Sequence, residues 1–181
     1  MVQSRRVGSV VRRDGGRSRL RIHHDRLHHR PGAPTCGRQK GGPEARAIGR
    51  SRGGLTTKIH AVVDALGNPL RFILSPGQVN DITQAEALIA DLPAAHVLGD
   101  KGYDAKTLRD TIAKQDAVAV IPPRKTSPQV PCDFALYCER NLVERFFLKI
   151  KHFRRIATRY EQTPRAFLSL LSLIGAVIWT G

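Results

Sequence analysis

The sequence predicts an α/β protein with a partly parallel sheet flanked by helices. Three observations lead there. Residues 55–64, LTTKIHAVVD, and 70–76, LRFILSP, are apolar runs rich in β-branched residues around the turn sequence LGNP, the pattern of a β-hairpin. Residues 96–123 then run strand, helix, strand at the spacing of a βαβ unit, which makes its two strands parallel. Two helical segments follow, at about 134–152 and 164–179.

Each element has a local reason. In 84–92, QAEALIADL, apolar residues recur at helical spacing, with Asp81 and Thr83 as candidate caps. HVLGD at 96–100 is a short apolar run ending in a carboxylate and a Lys-Gly turn, the way a buried strand delivers an acid to the edge of a sheet. Residues 104–115, DAKTLRDTIAKQ, form an amphipathic helix with Asp104 at its N-cap, and 117–123, AVAVIPP, a strand stopped by two prolines. His60 and His96 fall in strands, where packing is their expected role, and Asp64 borders the hairpin turn. The apolar stretch 166–180, AFLSLLSLIGAVIWT, is too short for a confident membrane span and reads as a buried terminal helix.

At 181 residues, 41% of them hydrophobic, the chain is long enough for one domain with a core. Its net charge of +15 calls for a polyanionic partner, most simply nucleic acid. The charge is uneven. Residues 1–54 hold 14 Lys and Arg against 3 Asp and Glu, whereas 55–181 hold 16 against 12. The first segment also lacks apolar periodicity, so composition alone makes it a disordered basic arm. Cys36, Cys132 and Cys138 form no CxxC pair and are odd in number, which points to plain thiols and a reducing cytoplasm. No apolar leader follows Met1.

The chemistry is concentrated in the helix at 134–152. Tyr137, Arg140, Glu144 and Lys151 are offset by three, four and seven residues, so at about 100° per residue they share one face. Arg140 and Glu144 alone could be an i,i+4 surface pair worth about 0.2–0.5 kcal/mol. However, Y-x2-R-x3-E-x6-K matches the signature around the third acid of bacterial insertion-sequence DDE transposases, the superfamily of insertion sequences four and five. GRSRGGLTTKIHAVVDALGNP, LGDKGYD, VIPPR and RNLVERFFLKIKHFRRIATRYE resemble that family in order and spacing, from about residue 41 to 181.

The resemblance implies a ribonuclease-H-like mixed sheet flanked by helices, in which three carboxylates converge on two Mg²⁺ or Mn²⁺ ions. Paired hard cations suit in-line displacement at phosphorus, since one activates the attacking oxygen and the other stabilises the leaving one. Asp100 matches the family's second acid and Glu144 its third. Arg140 and Lys151 would contact phosphates and Tyr137 would position the helix or the DNA, while Lys149, Arg154 and Arg155 lie in a second candidate DNA surface, KIKHFRRIATR. A homo-oligomer on transposon and target DNA, with no membrane partner, goes with this reading.

The family's first acid lies in a strand resembling I-D-S-T-x-V-R-A-H, and no such segment precedes residue 41 in frame. At the corresponding distance stands HHDRLHHR, residues 23–30, four histidines and a carboxylate of the kind that could bind metal but with nothing strand-like about it. One base downstream, codons permitted by residues 23–36 can spell IMIDSTIVRAHQH. Residues 1–40 are therefore expected to be an out-of-frame translation, with 41–181 a partial catalytic domain that lacks its first strand. The frames would join near residues 39–41, whose codons can read CAA AAA GGG, a run on which ribosomes slip by minus one. Such a fragment would nick and join DNA only when completed by an upstream product. Two other readings stay open: a non-catalytic DNA-binding regulator or remnant, and an enzyme that recruits Asp25, Asp64 or Asp81 as a substitute first acid.

Overall fold

The structure is a computed structural model and describes residues 19–29, 47–52, 54–159, 161 and 163–180. Seven strands make one mixed sheet: β1 (Arg19–His29), β2 (Gly49–Ser51), β3 (Gly54–Val63), β4 (Pro69–Pro76), β5 (His96–Leu98), β6 (Val118–Val120) and β7 (Thr158–Arg159). The hairpin β3–β4 forms where the turn sequence implies it. Asp64 closes the turn by accepting from the Leu66 and Asn68 amides at 2.8 and 2.9 Å, and Gly67 takes the positive φ, 87°, that the turn requires. The strands β5 and β6 are parallel and joined through α2 (Lys106–Lys114), as the βαβ spacing implies.

One expectation is overturned. The sheet is not missing its first strand, because residues 19–29 form β1 and occupy its centre. There β1 pairs antiparallel with β3 from Arg21↔Val63 to His28↔Thr56, and parallel with β5 from Arg19↔His96 to Arg21↔Leu98. Disorder thus does not extend through these residues or through 47–52, which include β2; residues 1–18 and 30–46, with Cys36 and the proposed junction at 39–41, lie outside the described residues.

Tertiary pairing outweighs the polar composition in β1. Leu20 and Ile22 alternate onto one face of the sheet and Leu27 onto the other, all buried. Arg21, 1% exposed, is tolerated because each of its nitrogens has a partner: Nε donates to the Glu139 carbonyl at 2.9 Å, Nη1 to the Asp64 carbonyl at 2.8 Å and Nη2 to the Glu139 carboxylate at 2.5 Å. Arg19 joins the same carboxylate.

Helices cover both faces. On one side α1 (Ile82–Ile89) and α2 contribute Leu88, Ile89, Leu108 and Ile112, which pack on Leu20, Ile22, Val62 and Val97. On the other, α4 (Asn141–Lys151) and α6 (Pro164–Thr180) contribute Phe146, Ile150, Phe167 and Leu171, which pack on Leu27, Ile59, Ala61 and Val63. Each such side chain, fully buried, contributes about 1.5–3 kcal/mol. No described helix is long and apolar enough to cross a membrane.

Three local expectations are corrected. The 134–152 helix is interrupted: α3 (Phe134–Tyr137) passes into a 3-10 turn, Cys138–Arg140, before α4 begins, and the short α5 (Arg154–Ala157) follows. Ala105, not Asp104, stands at the N-cap of α2. The Asp104 carboxylate instead accepts from Arg109 at 2.9 and 3.1 Å and from the Arg124 amide at 2.7 Å, tying the helix to the loop after β6. Asp81 sits at the N-cap of α1 but makes no capping bond, because its carboxylate is held by Lys58 at 2.7 Å.

Candidate active site

Asp100 stands two residues after the end of β5. Gly99 lets the chain pass close to β1, since a Cβ there would lie 3.2 Å from Ile22 Cγ1. The Asp100 side chain then accepts from the Gly102 amide at 2.8 Å and starts the 3-10 turn Lys101–Tyr103. The carboxylate is half-buried at the point where β5 has ended and β1 runs on.

The parallel register Arg21↔Leu98 carries two residues further to bring His23 beside Asp100. Its Nδ1 lies 3.7 Å from Asp100 Oδ2. The next residue, His24, places Nε2 at 3.5 Å from Asp81 Oδ2, and the two imidazole centroids are 5.5 Å apart. One ligand atom from each of His23, His24 and Asp100 fits within 4.8 Å, and among the described residues this is the one such group of three His, Cys, Asp or Glu side chains. The Nδ1 atoms of both histidines are buried and make no hydrogen bond. Burial pushes both imidazoles below their usual pKa, against the opposing pull of Asp100 on His23 and of Asp81 on His24.

Behind this group lies a buried polar layer. His60 Nε2 contacts Ser75 Oγ at 2.7 Å and its Nδ1 the Tyr103 hydroxyl at 3.4 Å. Burial lowers His60 to about 4, and the neighbouring His24 pushes the same way. Burial likewise raises Tyr103 well above the ordinary phenol range. His60 is thus packed as its strand position implies.

On the opposite side, Glu144 stands in the first turn of α4, bound to Arg140 at 2.7 Å. The guanidinium of Arg140 lies over the Tyr137 ring, 5.4 Å from its centroid. Tyr137, Arg140 and Glu144 therefore lie together, as their spacing implies. His23 meets this helix through Phe147, edge on at 5.7 Å, and feels the charges of Arg140 and Glu144. Lys151 is bound to Asp25 of β1 at 2.6 Å. Lys149 and Arg154 are exposed, and Arg155 is bound to Glu161 at 3.2 Å.

The donors do not fit a pair of hard divalent cations. Asp100 and Glu144 supply carboxylates, but Glu144 is neutralised by Arg140 and stands outside the converging group, and the position facing Asp100 carries an imidazole. Hard Mg²⁺ prefers oxygen ligands. None of the substitute acids closes the gap: Asp25 is bound to Lys151, Asp64 to its own turn and Asp81 to Lys58. Sequence reasoning singles out the histidine cluster but not the pairing of His23 with Asp100, because a strand register between segments so far apart in the chain has no local signal.

Residues 21–129 match the family described as Transposase DDE domain, and residues 97–181 match a second family with the same description. A protein described as a transposase for insertion sequence element IS6501 in Brucella ovis is 46% identical over 128 residues, which make up 69% of this chain and 98% of that relative. Another, for insertion sequence element IS402 in Burkholderia cepacia, is 34% identical over 149 residues, 74% of this chain and 67% of the relative. Among solved structures, the piggyBac transposase in a synaptic complex with hairpin DNA gives a TM-score of 0.40 at 14% identity, over 62% of this chain and 24% of that one.

Proposed function

Because this chain belongs to the transposase DDE-domain family, we propose that it serves DNA transposition as the part of a DDE transposase that bears the second and third acids, Asp100 and Glu144. The observation that supports this most directly is their placement. Asp100 ends a central parallel strand next to β1, and Glu144 opens a helix packed on the same strand, held by an arginine that is itself stacked on Tyr137. Both lie within the family match at 97–181.

DNA is the partner. Lys149, Arg154 and Arg155 provide a cationic surface for phosphates, with Arg140 and Lys151 nearer the acids, and a homo-oligomer on transposon ends completes the reading. Transposases of this family use a divalent metal. Cleavage and strand transfer with two Mg²⁺ or Mn²⁺ ions belong to a product whose first strand carries the family's first acid, whereas the β1 side chain that faces Asp100 in this chain is His23. With no carboxylate of β1 facing Asp100, and Asp25 bound to Lys151, a second role is favoured for the chain by itself, as a non-catalytic DNA-binding regulator. The out-of-frame reading of residues 1–40, with its junction near residues 39–41, is supported by the codon match alone, because the family match already begins at residue 21.

Binding to a transposon-end duplex, followed by fluorescence anisotropy across a salt series, tests the DNA reading. The affinity should fall steeply with salt, and replacing Lys149, Arg154 and Arg155 by alanine should reduce the slope by about 0.9 for each phosphate that the surface no longer neutralises. An unchanged slope would remove this surface from the reading. Sequencing the encoding DNA across codons 1–60 tests the frame: stops in the shifted frame would overturn it.

A further inference from the structure

We propose that His23, His24 and Asp100 form a mononuclear site for a borderline divalent transition metal, such as Zn²⁺ or Co²⁺, in place of the paired hard ions of the family. This assignment does not depend on the transposition reading, because it rests on the side chains of β1 and the end of β5 alone.

The donor set is the first reason. Two imidazoles and one carboxylate suit Zn²⁺, Co²⁺ or Ni²⁺, whereas Mg²⁺ seeks oxygen throughout. Distance is the second. Tetrahedral ligands held about 2.0–2.1 Å from a metal stand about 3.3 Å from one another, and His23 Nδ1 is already 3.7 Å from Asp100 Oδ2. One ligand atom from each of the three lies within 4.8 Å of the others, so side-chain rotations would bring them to coordination distance.

The surroundings supply the rest. Both Nδ1 atoms are buried without a hydrogen bond, so metal coordination satisfies polar atoms that the fold leaves unpaired. His24 turns its other nitrogen toward Asp81, and Lys58 fixes that carboxylate. This is the outer-sphere arrangement by which a carboxylate orients a metal-bound imidazole. Asp100 is fixed by the Gly102 amide through Oδ1, which leaves Oδ2 facing His23. With 21%, 17% and 26% of the three side chains exposed, an ion can enter from solvent, and a water can complete four-coordination.

Titration of the untagged full chain with Co²⁺, read by its visible ligand-field absorption, tests the site. One equivalent should bind, with an absorption strong enough for tetrahedral coordination, and Zn²⁺ should displace it while excess Mg²⁺ does not. His23→Asn and His24→Gln should each weaken binding tenfold or more, and Asp81→Asn about tenfold through the lost orientation of His24. His28→Gln and His152→Gln, both at exposed positions, should leave it unchanged. Zn²⁺ should also raise the thermal midpoint of the parent chain but not of His23→Asn, with circular dichroism confirming that the variant is folded. Binding that survives both His23→Asn and His24→Gln, or that falls equally in the exposed-histidine controls, would overturn the assignment.

Discussion

The imidazole of His23 faces the carboxylate of Asp100 at 3.7 Å, across the point where β5 stops and β1 continues. β1 thus offers Asp100 an imidazole and not a carboxylate. His23→Asp should convert the ligand set toward oxygen. We expect the variant to bind Mn²⁺ at least tenfold more tightly than the parent and to lose preference for Co²⁺, as measured by isothermal titration calorimetry. An unchanged Mn²⁺ affinity would mean that Asp100 has no metal-binding partner on β1.

Asp104 provides a test of the loop after β6. Burial alone would raise its carboxyl, but the Arg124 amide, Ser127 and the Arg109 guanidinium outweigh that and hold it below the ordinary value of 3.8. A depressed folded pKa means that the stabilisation is present above pH 3.8 and is lost as the pH falls through the folded value. Asp104→Asn should therefore cost about 1–3 kcal/mol in urea unfolding at pH 7, and the difference from the parent should shrink below about pH 4.

His60 should make the fold acid-sensitive in a higher window. Its unfolded form takes a proton near 6.5 and its folded form near 4, so between those values the unfolded chain binds more protons and stability falls as the pH is lowered. The shift corresponds to on the order of 3 kcal/mol. His24, His23, Asp81 and Lys58 face the same ring electrostatically. Urea midpoints should fall between pH 6.5 and 4, and His60→Gln, which keeps a donor toward Ser75, should flatten that part of the profile. A profile equally steep in the variant would assign the effect to the other histidines.

Gly175 lies where α6 packs closely on β4. A Cβ there would lie 3.0 Å from Pro69 Cγ and 3.3 Å from Phe72 Cε2. Gly175→Val should overpack this interface and cost about 1–3 kcal/mol, seen as a lower urea midpoint with an unchanged slope. A rise in stability would show that α6 shifts freely over β4.

Much of this architecture is legible in the sequence because its signals are local. The β3–β4 hairpin announces itself by LGNP, the βαβ unit by its spacing, and the Tyr137, Arg140, Glu144 arrangement by helical periodicity. What is not legible depends on distant partners. RLRIHHDRLHH has too few apolar residues to declare a strand, and becomes one because β3 and β5 hydrogen-bond to both its edges and Glu139 receives Arg21. Asp104 looks like a cap from its position before a helix, while its partners, Arg109 and the Arg124 amide, draw the carboxylate toward the loop after β6. Asp81 misleads for the same reason, since Lys58 claims its carboxylate from the neighbouring strand.

The central place of β1 has a consequence for how the molecule assembles. β1 precedes every other described element in the chain, yet its parallel partners β5 and β7 end at Leu98 and Arg159 and the residue that receives Arg21 lies 118 positions away. The hairpin and the βαβ unit can form from near neighbours, but the sheet is joined only when the earliest strand inserts between them. Such distant pairings are slow to find, because loop-closure entropy is spent before any pairing rewards it. On the ribosome, β1 emerges before β3, and the edge that β5 covers stays open until more than half of the chain has been made, a period in which chaperones and aggregation compete for it.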